Sequence, residues 1–162
     1  MKEQIMEKEF IEMVQSNEGI IYKVASFYKD NDSPLSDLYQ EVVLNLWKGF
    51  PSFRGDSKPS TWIYRIALNT CISFLRKQKN KPIHVEVPNN IIEEQGNSEE
   101  IKELYRLINQ LGKLERALVL LYLDEKSYQE MAEITGLSLS NVATKLNRIK
   151  NKLKQMSEKL NA

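Results

Sequence analysis

Chemistry-bearing residues are scarce in this chain of 162 residues. It has one cysteine, Cys71, and one histidine, His84, so no internal disulfide can form and the ligands of a Cys/His zinc site are missing. A reducing compartment fits that usage. No Gly-rich phosphate loop is present, and the scattered carboxylates include no pair whose spacing demands a shared task. An enzyme is therefore disfavoured, and neither a metal nor a cofactor is expected. No apolar run approaches the ~18 residues of a membrane span, and the amphipathic, acidic start at Met1 lacks the apolar core of a signal peptide. A cytoplasmic protein without membrane insertion is expected. Charge of one sign is lacking too: 23 Lys and Arg against 22 Asp and Glu leave +1, so bulk charge points to no partner.

The distribution of charge is more informative than its sum. Residues 1–53 carry 5 basic and 9 acidic side chains, whereas residues 54–81 carry 7 against 1. The sign then flips again, with 5 against 10 over residues 93–136 and 6 against 1 over residues 137–162. Two basic blocks alternate with two acidic ones, a pattern that fits two separate polyanion contacts or two solvated helix faces.

Glycine and proline are few, 6 and 5, and their positions punctuate a helical pattern. Residues 5–30 read as helix with a break near Asn17-Glu18-Gly19. Ser33 is expected to cap a second helix whose first residue is Pro34. That helix, 34 to about 49, carries one apolar row at Leu35, Leu38, Val42 and Leu46 and another at Tyr39, Val43 and Trp47, an unusually broad apolar face. A loop over Gly49–Asp56 leads to a helix from Pro59 to about Asn80, with Trp62, Ile63, Ile66, Ala67, Thr70, Phe74 and Leu75 inward. Periodicity fails from Lys81 to Asn97, where Pro82, Pro88 and Gly96 mark a flexible linker. The expected architecture is all-α, with small helical domains at 1–80 and 98–162 joined by the 81–97 linker. In the second domain, Ser98 opens a helix that Gly112 closes, another runs from Lys113 to about Leu123, and a capping box at Ser127–Glu130 starts the next.

The segment Tyr128–Leu153 has helix-turn-helix spacing. Small Ala132 permits a close helix crossing, Gly136 supplies a left-handed turn, and Val142 locks the second helix down. Ser140, Asn141, Thr144, Lys145, Asn147 and Arg148 lie where such a helix enters a major groove, and Lys150, Lys152 and Lys154 follow as phosphate partners. A lysine-rich solvated helix is the bland alternative; its near-pure basic character beside an acidic block favours DNA. In the first half, aromatics interleave with cations at Phe53, Arg54, Lys58, Trp62, Tyr64, Arg65, Arg76 and Lys77, which suits single-stranded nucleic acid, although Trp62 also serves as a core plug.

Three runs, Asp37-Leu38-Tyr39-Gln40-Glu41-Val42, Phe50-Pro51-Ser52-Phe53-Arg54-Gly55-Asp56 and Ser60–Asn69, resemble sigma region two of extracytoplasmic-function (ECF) sigma factors of the sigma-70 family, and residues 128–153 resemble their region four. The resemblance implies a promoter-recognition subunit of bacterial RNA polymerase. It implies that Asp37, Gln40, Glu41, Asn45, Trp47 and Lys48 dock on core RNA polymerase. It places Phe53, Arg54, Gly55, Asp56, Ser60, Thr61 and Asn69 on the single-stranded downstream promoter element, Asn69 and the 53–61 loop holding a flipped base; Arg65 and Arg76, spaced along the same helix on either side of Asn69, are expected to hold the flanking phosphates. The helix with Ser140, Asn141, Thr144, Lys145, Asn147 and Arg148 is assigned to the duplex upstream element. An anti-sigma factor is a further family expectation. Gly112-Lys113 and Ala143 depart from the common pattern, which leaves the upstream sequence open. A helix-turn-helix regulator that binds duplex DNA without polymerase is the alternative, and a nucleic-acid-modifying enzyme a more distant one.

Overall fold

A computed structural model describes residues 1–76 and 99–161, with side chains through Phe74 in the first stretch and Lys159 in the second. Among these residues all regular structure is helical. The chain forms two compact units, Met1–Pro82 and Ile83–Ala162. The expected linker, Ser98 as a cap, and the end of the helix near Asn80 lie outside the described residues.

Helices α1 (Lys2–Ser16) and α2 (Glu18–Tyr28) are separated by Asn17 alone. Its backbone N–H donates to the Val14 carbonyl at 3.0 Å and its Nδ2 to the Met13 carbonyl at 2.9 Å, so one residue satisfies two carbonyls left over at the end of α1. Ile21, Val24, Ala25, Phe27 and Tyr28 are buried, which makes α2 the centre of the first core, packed on α3 (Leu35–Gly49) and α4 (Pro59–Arg76). The α2–α3 turn corrects the sequence reading. Pro34 occupies the cap position, and the caps of the turn come from Asp30, whose Oδ1 accepts from Asp32 N at 2.9 Å and Ser33 N at 2.6 Å. Ser33 is fully buried and its Oγ has no hydrogen-bond partner.

Leu38, Val42 and Leu46 of α3 are fully buried, each worth about 1.5–3 kcal/mol of burial. The second row is only partly covered: Tyr39 and Val43 are half-buried, and Trp47 is 40% exposed with its ring edge-on to Phe10 of α1 at 5.0 Å. In α4, Trp62, Ile63, Tyr64, Ala67, Leu68, Thr70 and Cys71 are buried, whereas Ile66 and Phe74, expected inside, are half-buried. They border a groove described below.

The second unit comprises α5 (Glu99–Ile108), α6 (Lys113–Leu123), α7 (Tyr128–Thr135) and α8 (Leu139–Asn161). Its core brings together Ile108, Leu118, Leu121, Met131, Ile134, Val142, Leu146 and Ile149. Gly112 does not close α5; it is the N-cap of α6, with its N–H donating to Glu115 Oε1 at 3.1 Å. Buried Arg116 fixes the same turn, Nε donating to the Leu111 carbonyl at 2.9 Å. Helix α6 ends in paired bonds, Lys126 N to the Leu121 carbonyl and Glu125 N to the Tyr122 carbonyl, both 3.0 Å, with Glu125 at φ 59° where glycine is usual. The capping box forms as read: Ser127 Oγ accepts from Glu130 N at 3.1 Å and Glu130 Oε1 accepts from Ser127 N at 3.4 Å. Gly136 takes φ 79° at the end of α7, and Ser138 Oγ then accepts from Asn141 N at 3.1 Å to start α8.

Candidate nucleic-acid interface

Because Leu38, Val42 and Leu46 anchor α3 from one side, the rest of that helix opens onto two grooves of different character. Between α1 and α3 lies a largely apolar groove of roughly 690 Å³, with Phe10, Ile11, Gln40, Val43, Leu44 and Trp47 along it. Between α3 and α4 lies a more polar groove of roughly 530 Å³, bordered by Glu41, Asn45, Lys48, Ile66, Asn69, Thr70, Ser73 and Phe74. The six α3 positions expected to form one docking face are thus divided. Gln40 and Trp47 belong to the first groove; Glu41, Asn45 and Lys48 to the second; Asp37 is exposed at the start of the helix. Asn45 is also tied down, its Nδ2 donating to Thr70 Oγ1 at 2.9 Å.

Two residues that sequence reasoning passed over stand in the apolar groove. Leu44 is 45% exposed and Ile11 44%. Leu44 falls outside both apolar rows of α3, which sets it apart from the core positions, but a single exposed leucine is common on protein surfaces and marks a contact only together with the apolar neighbours of the groove. Ile11 gave no comparable signal, because its role depends on where α1 packs.

The loop between α3 and α4 is built on aromatic rings. After the 3₁₀ turn Phe50–Ser52, the Phe53 ring stacks on Trp62 with centroids 4.7 Å apart and planes 27° apart. Phe50 approaches Trp62 at 6.4 Å and Phe10 at 5.4 Å, so the rings pin the loop's entry to both α1 and α4. Gly55 then turns the chain at φ 76°, a conformation that costs most residues about 1 kcal/mol or more. Arg54, Gly55 and Asp56 are exposed at the tip, Ser60 is half-buried and Thr61 is buried, which directs Thr61 into the packing of α4. Arg65 is half-buried and Asn69 exposed on α4; the Arg76 side chain lies outside the described residues. Asn69 and Ser73 border the polar groove together with Ile66 and Phe74.

In the second unit, the row of α8 formed by Val142, Leu146 and Ile149 is buried. Ser140, Asn141, Thr144, Asn147 and Arg148 are exposed and Lys145 is half-buried. Exposed Asn151 and Gln155 extend that outer row by two further turns, a continuation that helical spacing alone would have revealed. The lysines beyond Arg148 do not act alike. Lys150 Nζ sits 4.6 Å over the Tyr122 ring and Lys152 Nζ lies 3.5 Å from Glu115 Oε1, so both reach back to α6 and are occupied within the unit. Lys150, Lys152 and Lys154 are all exposed. The outer row thus combines amide and hydroxyl groups, which match base edges, with Arg148 and Lys145, which match phosphates or guanine.

Buried Cys71 sits in an apolar setting that pushes its thiol up to about 12, so it offers no thiolate for catalysis or metal binding. Among the described residues, no cluster of His, Cys, Asp or Glu could hold a metal ion, and no helix is long and apolar enough to cross a membrane.

A family model for sigma-70 region 2 matches residues 13–81, and one for sigma-70 region 4 matches residues 101–153. The chain is 30% identical to the ECF RNA polymerase sigma-E factor of Escherichia coli (strain K12) over 178 aligned positions, covering 91% of this chain and 92% of that one. It is 34% identical to the RNA polymerase sigma factor YlaC of Bacillus subtilis (strain 168) over 132 positions, covering 74% and 75%. Among solved structures its fold is similar to CnrH in complex with the cytosolic domain of CnrY, at TM-score 0.66 and 18% identity over 94% of this chain and 89% of that chain. It is also similar to the sigma factor RpoE in complex with the anti-sigma factor NepR from Bartonella quintana, at TM-score 0.63 and 18% identity over 94% and 96%.

Proposed function

Since the chain belongs to the sigma-70 family of RNA polymerase sigma factors, in its extracytoplasmic-function (ECF) branch, we propose that its two halves divide promoter recognition residue by residue. It directs core RNA polymerase to specific promoters and starts strand opening. In the first domain, taken as residues 1–80, Asp37, Gln40, Leu44 and Trp47 dock on core polymerase, with Ile11 of α1 extending their apolar groove. The 53–61 loop and Asn69 hold a base extruded from the downstream element. In the domain from residue 98 onward, Ser140, Asn141, Thr144, Lys145, Asn147 and Arg148 read the upstream element as duplex. The chain works in the cytoplasm as a regulatory subunit with no reaction of its own. An anti-sigma factor belongs among its partners, a reading supported by the RpoE–NepR complex that shares its fold.

One observation carries the reading of the downstream element: exposed Asn69 stands on the helix whose Trp62 supports the Phe53 loop. Its amide offers a donor and an acceptor on a short side chain, the complement of a Watson–Crick edge. Extrusion of a base costs a few kcal/mol, so loss of a hydrogen bond to it impairs opening more than first encounter. Holoenzyme with Asn69→Ala should occupy closed promoter duplex yet open it poorly, and a pre-melted template should restore much of its activity. Normal permanganate reactivity of start-site thymines with that variant would refute the assignment.

A further inference from the structure

Leu139, the first residue of α8, is 56% exposed, more than any other large apolar side chain among the described residues except Met1. It stands apart from the buried row of Val142, Leu146 and Ile149 that holds α8 in the core. We infer that Leu139 is a specificity-determining residue, whose side chain packs on the C5-methyl group of a thymine in the upstream promoter element. The inference deepens the assignment of α8 to duplex DNA and rests on it.

An exposed leucine is ordinary on a protein surface; what distinguishes this one is its position. In a helix-turn-helix, the leading turn of the second helix meets the base edges. That turn is firmly held here. Gly136 takes φ 79° ahead of it, Ser138 Oγ accepts from Asn141 N at 3.1 Å, and the Ser138 carbonyl accepts from Val142 N at 3.0 Å. Leu139 lies inside this cap, so the direction of its side chain is set before DNA arrives and little freedom is lost on contact. The leading residues Leu139–Thr144 carry no charge, and the first cation of α8 is half-buried Lys145. Guanine is read best by Arg or Lys, which this turn does not offer, whereas an apolar side chain in the major groove finds its match in the thymine methyl group. Half-buried Ala143, one helical turn after Leu139, ends at Cβ, so no long side chain shields Leu139 from the groove floor. Exposed Ser140 and Thr144 beside this pair supply hydroxyls for neighbouring base edges.

The test uses holoenzyme and duplex DNA. Selection from duplexes randomised across the upstream element gives the sequence preferred by the unaltered chain. Each thymine in that sequence is then replaced singly by deoxyuridine, which removes the methyl group and keeps the hydrogen-bonding edges. At one thymine the replacement should weaken binding about fourfold, the worth of one buried methyl group. Leu139→Ala holoenzyme should bind the thymine and deoxyuridine duplexes alike at that position, with an unchanged thermal melt because the side chain is exposed. Leu139→Met, an apolar side chain of similar volume, should restore part of the discrimination. Equal discrimination by the unaltered chain and by Leu139→Ala would overturn the inference. The two readings fail separately: a preferred upstream sequence that is blind to every methyl removal overturns the role of Leu139 alone, whereas selection that returns no preferred upstream sequence overturns the assignment of α8 and the inference with it.

Discussion

Asn45 of α3 donates its Nδ2 to Thr70 Oγ1 of α4 at 2.9 Å, a side-chain bond that joins helices 25 residues apart in sequence. Thr70 is buried, so removing the donor leaves a hydroxyl that water reaches poorly, at a cost of about 1–3 kcal/mol. Asn45→Ala should therefore lower the denaturation midpoint. Gln40→Ala and Leu44→Ala, both at exposed sites, should leave it in place and weaken association with core polymerase. Full core affinity in a folded Gln40/Leu44 double variant would remove this face from docking.

The two sides of α8 should respond differently to loss of charge. Arg148→Ala is expected to lower the salt slope of upstream-element binding by about one unit, or to relax preference at one base pair if its contact is a base edge. Lys150→Ala removes a cation already placed over Tyr122 and should alter the slope little. Equal effects on the slope from both substitutions would show that Lys150 leaves Tyr122 when DNA binds.

Ser33→Ala should be neutral or should stabilise the first unit by up to about 1 kcal/mol, since a buried hydroxyl without a partner carries its desolvation cost uncompensated. Urea denaturation reads this directly. A loss greater than 1 kcal/mol would mean that the hydroxyl is paired in solution.

Backbone conformation at two turns sets opposite expectations. Glu125, at φ 59°, should gain about 1 kcal/mol on replacement by glycine, because the left-handed region penalises a Cβ. Gly136→Ala, at φ 79°, should lose a similar amount for the same reason, although a Cβ there meets nothing within 4 Å. Thermal melts of the two variants should shift in opposite directions.

Cys71 supplies a built-in reporter of unfolding. Burial raises its thiol to about 12, so alkylation at pH 8 should proceed only when the first unit opens, at a rate that follows its opening equilibrium. The sign of the linkage is fixed: protonated thiol is favoured in the folded state, so this contribution is intact below the unfolded pKa of roughly 8.5 and is lost as pH rises towards the folded value. Alkylation as fast in native buffer as in denaturant would contradict the burial.

Helices were legible wherever apolar spacing and local punctuation agreed: the break at Asn17, the capping box at Ser127, the left-handed Gly136 and the buried row of α8 all follow from residues within one or two turns of each other. Ser33 and Gly112 were misread for a common reason. A cap residue type was present, but the bonds that decide the turn come from Asp30 and Glu115, and nothing local ranks the competing geometries. The division of α3 between two grooves was hidden more deeply. It depends on where α1 and α4 pack against α3, which is tertiary information that a helical wheel of α3 alone does not contain. Lys150 and Lys152 illustrate the same limit, as their partners Tyr122 and Glu115 come from another helix.

On α8 the residues that hold the fold and those that face outward form separate rows: Val142, Leu146 and Ile149 are buried, while Ser140, Thr144, Asn147 and Arg148 are exposed. Substitution on the outer row disturbs no packing and typically moves stability by no more than about 0.5 kcal/mol. Under the proposed assignment of this row to the upstream element, a duplicated copy of this chain can drift to a new promoter set without loss of its fold. Divergence is limited by what the DNA rewards, not by what folding tolerates.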